Sequence, residues 1–298
     1  GTLLFDADSV HADWVEIYNA ESVAVNLQGW MLSDRTNNPD KWVFPAVTIQ
    51  PGAFLIVFLS GKNLTGPELH TNFKLGDDDP LVLRDDAGYI QDHFQELHPL
   101  TNHTWGCETD GSYTRGYTTQ PSPGATNNTS VWWPGYAGTP QFSRSPGFYT
   151  GVVLCGIINN DPDAQVHYTS DGSVPDAGDA LFVNALPLSN TTVVKAIAVR
   201  SGYLPSPVIS GTYFLDYTTD LPVISISTEP ALLFDTVTGL YMNGPNADTT
   251  YPYLGSNWWS DTEIPVHFEY FETDRIRKVD QDMGLRMHGG TASRTKPM

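Results

Sequence analysis

The sequence is poor in basic residues. Fifteen Lys and Arg stand against 34 Asp and Glu among 298 residues, which gives a formal net charge of -19. Nucleic-acid binding needs clustered Lys and Arg to neutralise phosphates, so the composition argues against a nucleic-acid partner and disfavours anionic membrane surfaces. Two explanations of the acidity stay open: a solvated surface suited to a saline or extracellular setting, and carboxylates that bind cations.

Cysteine is also scarce, and long apolar runs are absent. Cys107 and Cys155 form neither a zinc pattern nor a CxxC motif. They fall in different predicted domains, so two free thiols are the default expectation and a disulfide between them is the alternative. The longest apolar run, 53–59, is far shorter than the about 18 residues that cross a bilayer, so no membrane span is predicted. A signal peptide is not seen, and because the chain is expected to be trimmed, this says nothing about location.

The sequence contains little helical periodicity and many turn-forming residues. With 26 Gly and 22 Pro, it favours many short strands over long helices. Residues 14–18 alternate with a period of two, and residues 54–59 are apolar on both faces, as in a central strand. Residues 264–270 alternate large apolar side chains with His267 and Glu269, which predicts a strand with one buried face.

Composition shifts divide the chain into three predicted domains, 1–127, 140–216 and 220–298. Residues 128–139 lie in a stretch rich in Pro, Gly and Thr, which predicts a linker. A second and weaker boundary lies at 216–222.

The first domain carries an ordered series of motifs. They are WVEIYN at 14–19, LQGWMLSD at 27–34, WVFP at 42–45, HTNFKL at 70–75, LVLRDDAG at 81–88 and PSPGATN at 121–127. On these motifs residues 1–127 resemble the lamin tail domain. The resemblance implies an immunoglobulin-like β-sandwich.

The second domain carries a different series. It consists of FSRSPGFYTG at 142–151, VHYTSDGSVP at 166–175, VVKAIAVRSGYLPS at 193–206 and the closing strand GTYF at 211–214. Residues 140–216 therefore resemble the β-sandwich at the C-terminus of chitobiase and β-hexosaminidase enzymes. Asp171 and Gly172 are expected to form a hairpin turn after a strand.

The third domain carries shorter motifs. They are LPVISIST at 221–228, GLYMNG at 239–244, EIPVHFEYFE at 263–272 and GLRMHGGTASR at 284–294. Residues 220–298 resemble the N-terminal part of a CotH-type kinase domain of bacterial modular proteins, which implies a catalytic core beyond this chain. The predicted fold class is therefore mainly β: two tandem immunoglobulin-like β-sandwiches followed by the β-rich start of a truncated α+β domain.

Motifs of enzyme chemistry are scarce, and no catalytic residue is assigned. GxSxG, HExxH, GxxxxGK[ST] and GxGxxG are all absent. The CotH resemblance implies that His288, Gly289, Gly290 and Arg294 form a phosphate-binding loop, whereas a glycine-rich strand end with a structural Arg is the favoured alternative. Phosphoryl transfer also needs magnesium held by carboxylates. ATP and magnesium are thus expected only for an extended kinase-like domain, and the present chain requires no cofactor.

Carboxylates cluster in the second domain, which makes calcium the candidate cation. The candidate ligands are Asp161, Asp163, Asp171, Asp176 and Asp179. Calcium prefers loop oxygens of this kind, especially outside cells. The EF-hand pattern fails because Val166 stands where a glycine is needed, and solvated turns are the favoured alternative. A further run at 77–79 is expected in a hairpin turn.

Two other patterns allow more than one interpretation. Histidines recur every five residues at 93, 98 and 103 in a polar stretch, which favours surface histidines over zinc ligands. The pairs Trp132–Trp133 and Trp258–Trp259 suit stacking on sugar rings, although such residues more often anchor linkers or cores.

Three functions follow from these patterns. The first is a set of non-catalytic extracellular interaction or anchoring modules that present a C-terminal effector domain at the cell surface. The second is part of a secreted CotH-type protein kinase, and the third is a carbohydrate-binding accessory region. The expected location is extracellular or at the cell surface, with other extracellular proteins or glycans as partners. Neither the ligand nor the oligomeric state follows from the sequence.

Overall fold

The computed structural model describes residues 4–76, 79–95 and 99–290. The chain divides into two compact units, 1–135 and 136–298. Across the described ranges it is nearly all β, and the mainly-β fold class is confirmed. None of the helices in those ranges has the length and apolar character that a membrane crossing requires.

The first unit contains twelve short strands among its described residues. They are β1 (Trp14–Tyr18), β2 (Val25–Asn26), β3 (Met31–Ser33), β4 (Trp42–Val43), β5 (Thr48–Ile49), β6 (Phe54–Phe58), β7 (Leu64–Thr65), β8 (Leu69–His70), β9 (Leu81–Arg84), β10 (Ile90–Phe94), β11 (Thr104–Cys107) and β12 (Arg115–Thr118). Two four-stranded sheets have the orders β1-β6-β8-β7 and β10-β9-β3-β4, and the pairs β2-β5 and β11-β12 form ribbons. A short 3-10 helix follows at Asn127–Thr129.

The core of the first unit is one apolar cluster between these sheets. Leu32 and Trp42 come from one four-stranded sheet and Val57 from the other, and all three are buried. Trp42 meets Phe44 edge to face, with ring centroids 4.6 Å apart. Because both sheets direct alternate side chains into one cluster, they pack face to face as a sandwich. The apolar strand β6 lies between β1 and β8, which confirms its predicted central position.

Two carboxylates hold the C-terminal end of the first unit in place by accepting hydrogen bonds from it. Glu16 on β1 accepts a hydrogen bond from the backbone N–H of Gly124. Asp110 accepts hydrogen bonds from the Thr126 hydroxyl and from the backbone N–H of Asn127. Burial raises the pKa of Glu16 to about 7, and the nearby charge of Asp110 adds to the rise. The motif at 121–127 is thus tied to the first strand through Glu16 and to the connection between β11 and β12 through Asp110.

The raised pKa of Glu16 predicts a pH-dependent stability. The folded state binds this proton more tightly than the unfolded chain does, so the contribution is complete near pH 4.5 and is lost as the pH rises through about 7. After allowance for partial exposure of the side chain, the first unit should lose about 1–2 kcal/mol between pH 5.5 and 8. Urea unfolding at both pH values measures this change. Glu16→Gln should flatten the profile and the exposed Glu21→Gln should not, whereas an unchanged profile in Glu16→Gln would contradict the assignment.

The second unit begins with a second sandwich. Its strands are β13 (Gln141–Phe142), β14 (Gly147–Tyr149), β15 (Val153–Cys155), β16 (Ile157–Ile158), β17 (Gln165–Thr169), β18 (Ala180–Leu181), β19 (Leu186–Leu188), β20 (Thr192–Val199) and β21 (Ile209–Leu215). The main sheet has the order β14-β21-β20-β17-β18, and β13-β16 and β15-β19 form ribbons. Val194 and Tyr213 pack with Cys155 in one core cluster, and Ala196 and Ala198 belong to a second. Asp171 and Gly172 lie in a bend after β17, with Gly172 at a φ of 92°. The predicted tight hairpin turn is not formed, because β17 pairs with β18 across the longer connection at 170–179.

A three-stranded sheet completes the described part of the second unit. It consists of β22 (Val223–Ser227), β23 (Glu263–Phe271) and β24 (Arg277–Arg286), in that order. Between β22 and β23 lie helix α1 (Pro230–Phe234) and a short 3-10 helix at Asn257–Trp259. Pro230 at the first turn of α1 suits the helix start, because its fixed φ is helical and no N–H is lost from the ladder. Leu240, Ile264 and Val266 form a small core on one face of this sheet.

Strand β23 differs from its prediction, because both of its faces are buried. Ile264 and Val266 are buried on the apolar face as expected. On the opposite face, however, Glu269 is only 1% exposed and Phe271 is 0% exposed. The reason is tertiary: this second face packs against β21 of the sandwich rather than facing water.

The predicted boundaries stay predictions. The segment 128–139 has fixed contacts at both ends, since Trp133 pairs with Tyr117 within the first unit and Tyr136 pairs with Leu204 within the second. The three-stranded sheet belongs to the same compact unit as the second sandwich. Both cysteines are free thiols in the structure.

Candidate functional site

A group of charged and polar side chains lies where the three-stranded sheet meets the second sandwich, and Glu269 and Lys195 are buried within it. Antiparallel pairing places opposing residues on the same face of a sheet. Two polar rows therefore cross this sheet on the face toward β21, and their members are Ser227, His267 and Asp282 in one row and Ser225, Glu269 and Asp280 in the next. We refer to these six residues, with Lys195, Thr212 and Arg277, as the polar layer.

Glu269 joins the sheet to the sandwich. One carboxylate oxygen accepts a hydrogen bond from the backbone N–H of Thr212 at 2.9 Å, and the other accepts one from Arg277 at 2.9 Å. Arg277 also forms an ion pair with Asp280 at 2.8 Å. The Thr212 hydroxyl lies 2.7 Å from that of Ser225. A buried carboxylate is tolerated only when it is paired in this way, so Glu269 stabilises the contact between the two parts of the unit.

His267 lies between two carboxylates. Its Nδ1 atom is 2.9 Å from Asp282 Oδ1 in a hydrogen bond, which holds the pKa of Asp282 below its usual value. Its Nε2 atom is 3.1 Å from Asp280 Oδ1, close enough for an ion pair but outside hydrogen-bond geometry. The imidazole is therefore hydrogen-bonded to Asp282 on one side and lies close to Asp280 on the other.

Lys195 adds a buried cation to the polar layer. It lies on β20 and is 4% exposed. Burial lowers the pKa of its ammonium group, and the charges of Asp282, Glu229 and Asp171 oppose that shift. These carboxylates come from three different segments, so the lysine is balanced by several distant acids rather than by one close pair.

A cleft of about 410 Å³ opens beside the polar layer. One wall is mainly apolar and includes Phe142, Pro146 and Ile209, while the other includes His267, Arg277, Asp280 and Asp282. The charged side chains on the second wall already contact one another, which leaves little of their capacity for a ligand.

One row of the polar layer lacks a contact that a catalytic triad requires. The row of Ser227, His267 and Asp282 has the residue types of a catalytic triad, and the His–Asp hydrogen bond is present. A triad also needs the hydroxyl to bond the imidazole. The Ser227 hydroxyl is instead buried without a hydrogen-bond partner and does not line the cleft.

The five predicted calcium ligands do not converge. Asp161 and Asp163 pair with Arg200, at 3.4 Å and 3.1 Å. Asp171 accepts hydrogen bonds from the backbone and hydroxyl of Ser173. Asp179 accepts the backbone N–H of Asp176, and Asp176 accepts that of Gly178. Across the ranges the structure describes, no three or more His, Cys, Asp or Glu side chains are placed to hold a metal ion.

The pairing with Arg200 predicts a weak response to calcium. A cation that binds the folded state raises the melting temperature, but here it would have to displace the guanidinium from Asp161 and Asp163. Calcium at about 5 mM should shift the melting temperature of EDTA-treated protein by less than about 1 °C. Arg200→Ala frees both carboxylates and should increase the response. A shift of several degrees that Asp161→Asn removes would favour the calcium site instead.

The predicted phosphate-binding loop is described only in part. His288 and Gly289 follow the end of β24, and Gly289 has a φ of 123°. Gly290 is the last described residue, and Arg294 lies outside the described residues. The structure therefore does not bring these four residues together, and their role stays a prediction.

Several other predicted positions have structural partners or lie outside the described ranges. Residues 77 and 78 and His98 are outside those ranges. Asp79 accepts the backbone N–H of Gly76 in a turn. His93 is exposed on β10, whereas burial lowers the pKa of His103.

The tryptophan pairs are half-buried. The Trp132 ring lies over Gly106 and donates to the Asn127 carbonyl at 3.3 Å, and Trp259 donates to the Pro252 carbonyl at 3.1 Å. These contacts anchor the tryptophans to their own units, and stacking on sugar rings stays a prediction.

Sequence reasoning missed Lys195, Arg277, Asp280 and Asp282. The sequence did contain a signal for the last three, because the charged run at 277–282 follows the strand at 263–272 after a short turn. A hairpin formed by these two segments places the charged run opposite His267 and Glu269. Lys195 gave a weaker signal, as a lone cation inside an apolar strand.

Two family models match the chain. Residues 3–97 match the Lamin Tail Domain, and residues 145–210 match the Chitobiase/beta-hexosaminidase C-terminal domain. Both predicted resemblances are confirmed. The matched regions cover most of each sandwich, while β11, β12, β13 and the end of β21 lie outside them. Neither match reaches 220–298, so the CotH resemblance has no support from this comparison. No curated protein matches the chain.

Proposed function

We propose that this chain, in which a lamin tail domain is followed by a chitobiase/β-hexosaminidase C-terminal domain, is a non-catalytic interaction and anchoring region. In this proposal the two sandwiches present a C-terminal effector domain at the cell surface. The observation that carries it is the match of the two sandwiches to these two families. The polar layer agrees with the proposal, because its acids and bases pair with one another and the Ser227 hydroxyl does not bond His267.

The extracellular location has separate support. Domains of the chitobiase C-terminal type are commonly extracellular. The surplus of acidic over basic residues suits a protein that must stay soluble outside the cell and avoid nucleic acids. Partners would then be other extracellular proteins or glycans, recognised by loops and strand edges of the sandwiches.

Surface labelling tests the location. Intact source cells are treated with a membrane-impermeant amine-reactive biotin reagent, and the protein is recovered with streptavidin. We expect labelling without cell lysis, at the level of a known surface protein. Labelling that appears only after lysis would overturn the proposal. Saturable binding of the purified chain to intact cells, abolished by protease treatment of those cells, would support a protein partner over a glycan partner.

The kinase alternative rests on motifs in 220–298 alone. Because ATP and magnesium are expected only for an extended domain, calorimetric titration with both is carried out on a chain extended past residue 298. Heat exchange that Arg294→Ala removes would favour a nucleotide-binding role for the third segment. The absence of binding by the extended chain would contradict the kinase alternative.

A further inference from the structure

A second cleft lies in the three-stranded part of the second unit, between α1 and the start of β23. Its volume is about 420 Å³. Val237, Leu240 and Ile264 supply apolar walls, and Leu240 and Ile264 are buried beneath it. Polar residues complete the lining, and they include Thr238, Asn246, Ser256, Asn257, Ser260 and Thr262. We refer to this cavity as the neutral cleft, because no ionisable side chain lines it.

Asn257 holds the neutral cleft in shape. Its side-chain amide donates one hydrogen bond to the Val237 carbonyl at 3.0 Å and another to the Gly239 carbonyl at 2.9 Å. Its backbone N–H bonds the Asn243 carbonyl at 3.3 Å. One side chain thus ties the segment after α1 to the short 3-10 helix on the opposite wall. A cleft braced in this way is largely formed before a ligand arrives, which reduces the entropic cost of binding.

Three of the four hydroxyl groups that line the cleft donate their protons to protein atoms. Thr238 donates to the Asp235 carboxylate, Ser256 donates to the Tyr253 carbonyl at 2.6 Å, and Ser260 donates to the Asn257 carbonyl at 2.7 Å. The Thr262 hydroxyl lies 2.9 Å from that of Ser260. A hydroxyl that has donated its single proton keeps lone pairs as acceptors. The lining therefore offers mainly neutral acceptors, with the Asn246 amide and the Thr262 hydroxyl as additional donors.

This chemistry selects a class of ligand. The acceptor atoms of the cleft repel an anionic ligand, whereas the hydroxyl groups of a neutral ligand can donate hydrogen bonds to these acceptors. An apolar floor suits the C–H face of a ring, as in most small-molecule sites, where a few polar groups set the orientation. We propose that the neutral cleft binds a neutral, hydroxyl-rich ring, the end residue of a saccharide chain. Neither tryptophan pair lines the cleft, although Trp258 and Trp259 lie between the lining residues Asn257 and Ser260. The proposal does not depend on where the protein is located.

Titration of the ¹⁵N-labelled full chain tests the proposal. The probes are glucose, galactose and N-acetylglucosamine, each added to about 50 mM, a range that detects millimolar dissociation constants. Glucuronate and ethanolamine are the charged probes. We expect at least one neutral sugar to shift the amide signals of 237–240 and 255–262. Both charged probes should leave those signals unchanged.

Matched variants separate the cleft from nonspecific binding. Thr262→Val and Asn246→Ala each remove one polar group from the rim and should weaken binding about fivefold, as loss of a hydrogen bond does. Thr236→Val makes the same chemical change beside the cleft without lining it, and binding should persist. The proposal is overturned if no neutral sugar shifts the cleft signals, if the rim variants bind as tightly as Thr236→Val, or if a charged probe binds more tightly than every neutral sugar.

Discussion

Replacing Glu269 with alanine should lower the free energy of unfolding of the second unit by about 3–5 kcal/mol, the usual cost of removing one partner of a buried ion pair. Glu269 is 1% exposed. Its loss leaves Arg277 with Asp280 as its remaining partner and the Thr212 N–H without an acceptor. Chemical denaturation followed by tryptophan fluorescence measures the change.

Two control variants test whether the loss of stability comes from the contacts of Glu269. Glu263→Ala removes an exposed carboxylate from the same strand and should change stability by less than about 0.5 kcal/mol. Glu269→Gln keeps an acceptor for Thr212 and removes the charge that Arg277 needs, so its effect should lie between the other two. If Glu269→Ala and Glu263→Ala had equal effects, the carboxylate would not join the sheet to the sandwich.

Phe271→Ala should destabilise the same unit by about 3–5 kcal/mol, as expected for a large aromatic removed from a core. Phe271 is fully buried. Its ring centroid lies 5.5 Å from that of Phe148 and 5.4 Å from that of Phe214, and both contacts are edge to face. Because Phe148 and Phe214 belong to the sandwich, the variant removes the apolar part of the same junction. Calorimetry of the full chain measures the loss.

The number of thermal unfolding transitions shows whether the sheet and the sandwich unfold together. Ile226→Ala alters the opposite face of the sheet, where Ile226 is 49% exposed, and should cost less than about 1 kcal/mol. If the sheet and the sandwich fold as one unit, Phe271→Ala lowers one common transition. A separate early transition for the sheet, with the sandwich unaffected, would contradict the junction described above.

The sequence predicts the strands well where local alternation decides them. The alternating span at 14–18 is observed as β1, the span at 264–270 lies within β23, and the two-sided apolar run at 54–59 contains the central strand β6. The order of motifs also predicts both domain families. In each case the information lies within a few neighbouring residues, where the period of a strand is visible.

The polar layer and the calcium candidates depend on distant contacts instead. Polar side chains on one face of 263–271 predict solvent, and only the packing of that face on β21 buries Glu269. Likewise, Asp161 and Asp163 are candidate cation ligands when only the sequence is considered. In the structure both carboxylates pair with Arg200 instead. Local periodicity contains no information about which distant cation will face an acid. The same limit applies to the neutral cleft, whose braces join the two ends of a long loop.

The last strand of the three-stranded sheet has a consequence for solubility. β24 spans ten residues and lies at the sheet edge, and no other described strand pairs with its outer side. An unprotected strand edge of this length would be free to pair with strands of other chains. Here Lys278, Asp280, Asp282 and Arg286 place charge of both signs along it. An approaching strand would have to strip water from these groups, so the edge discourages aggregation while the sheet keeps its full length.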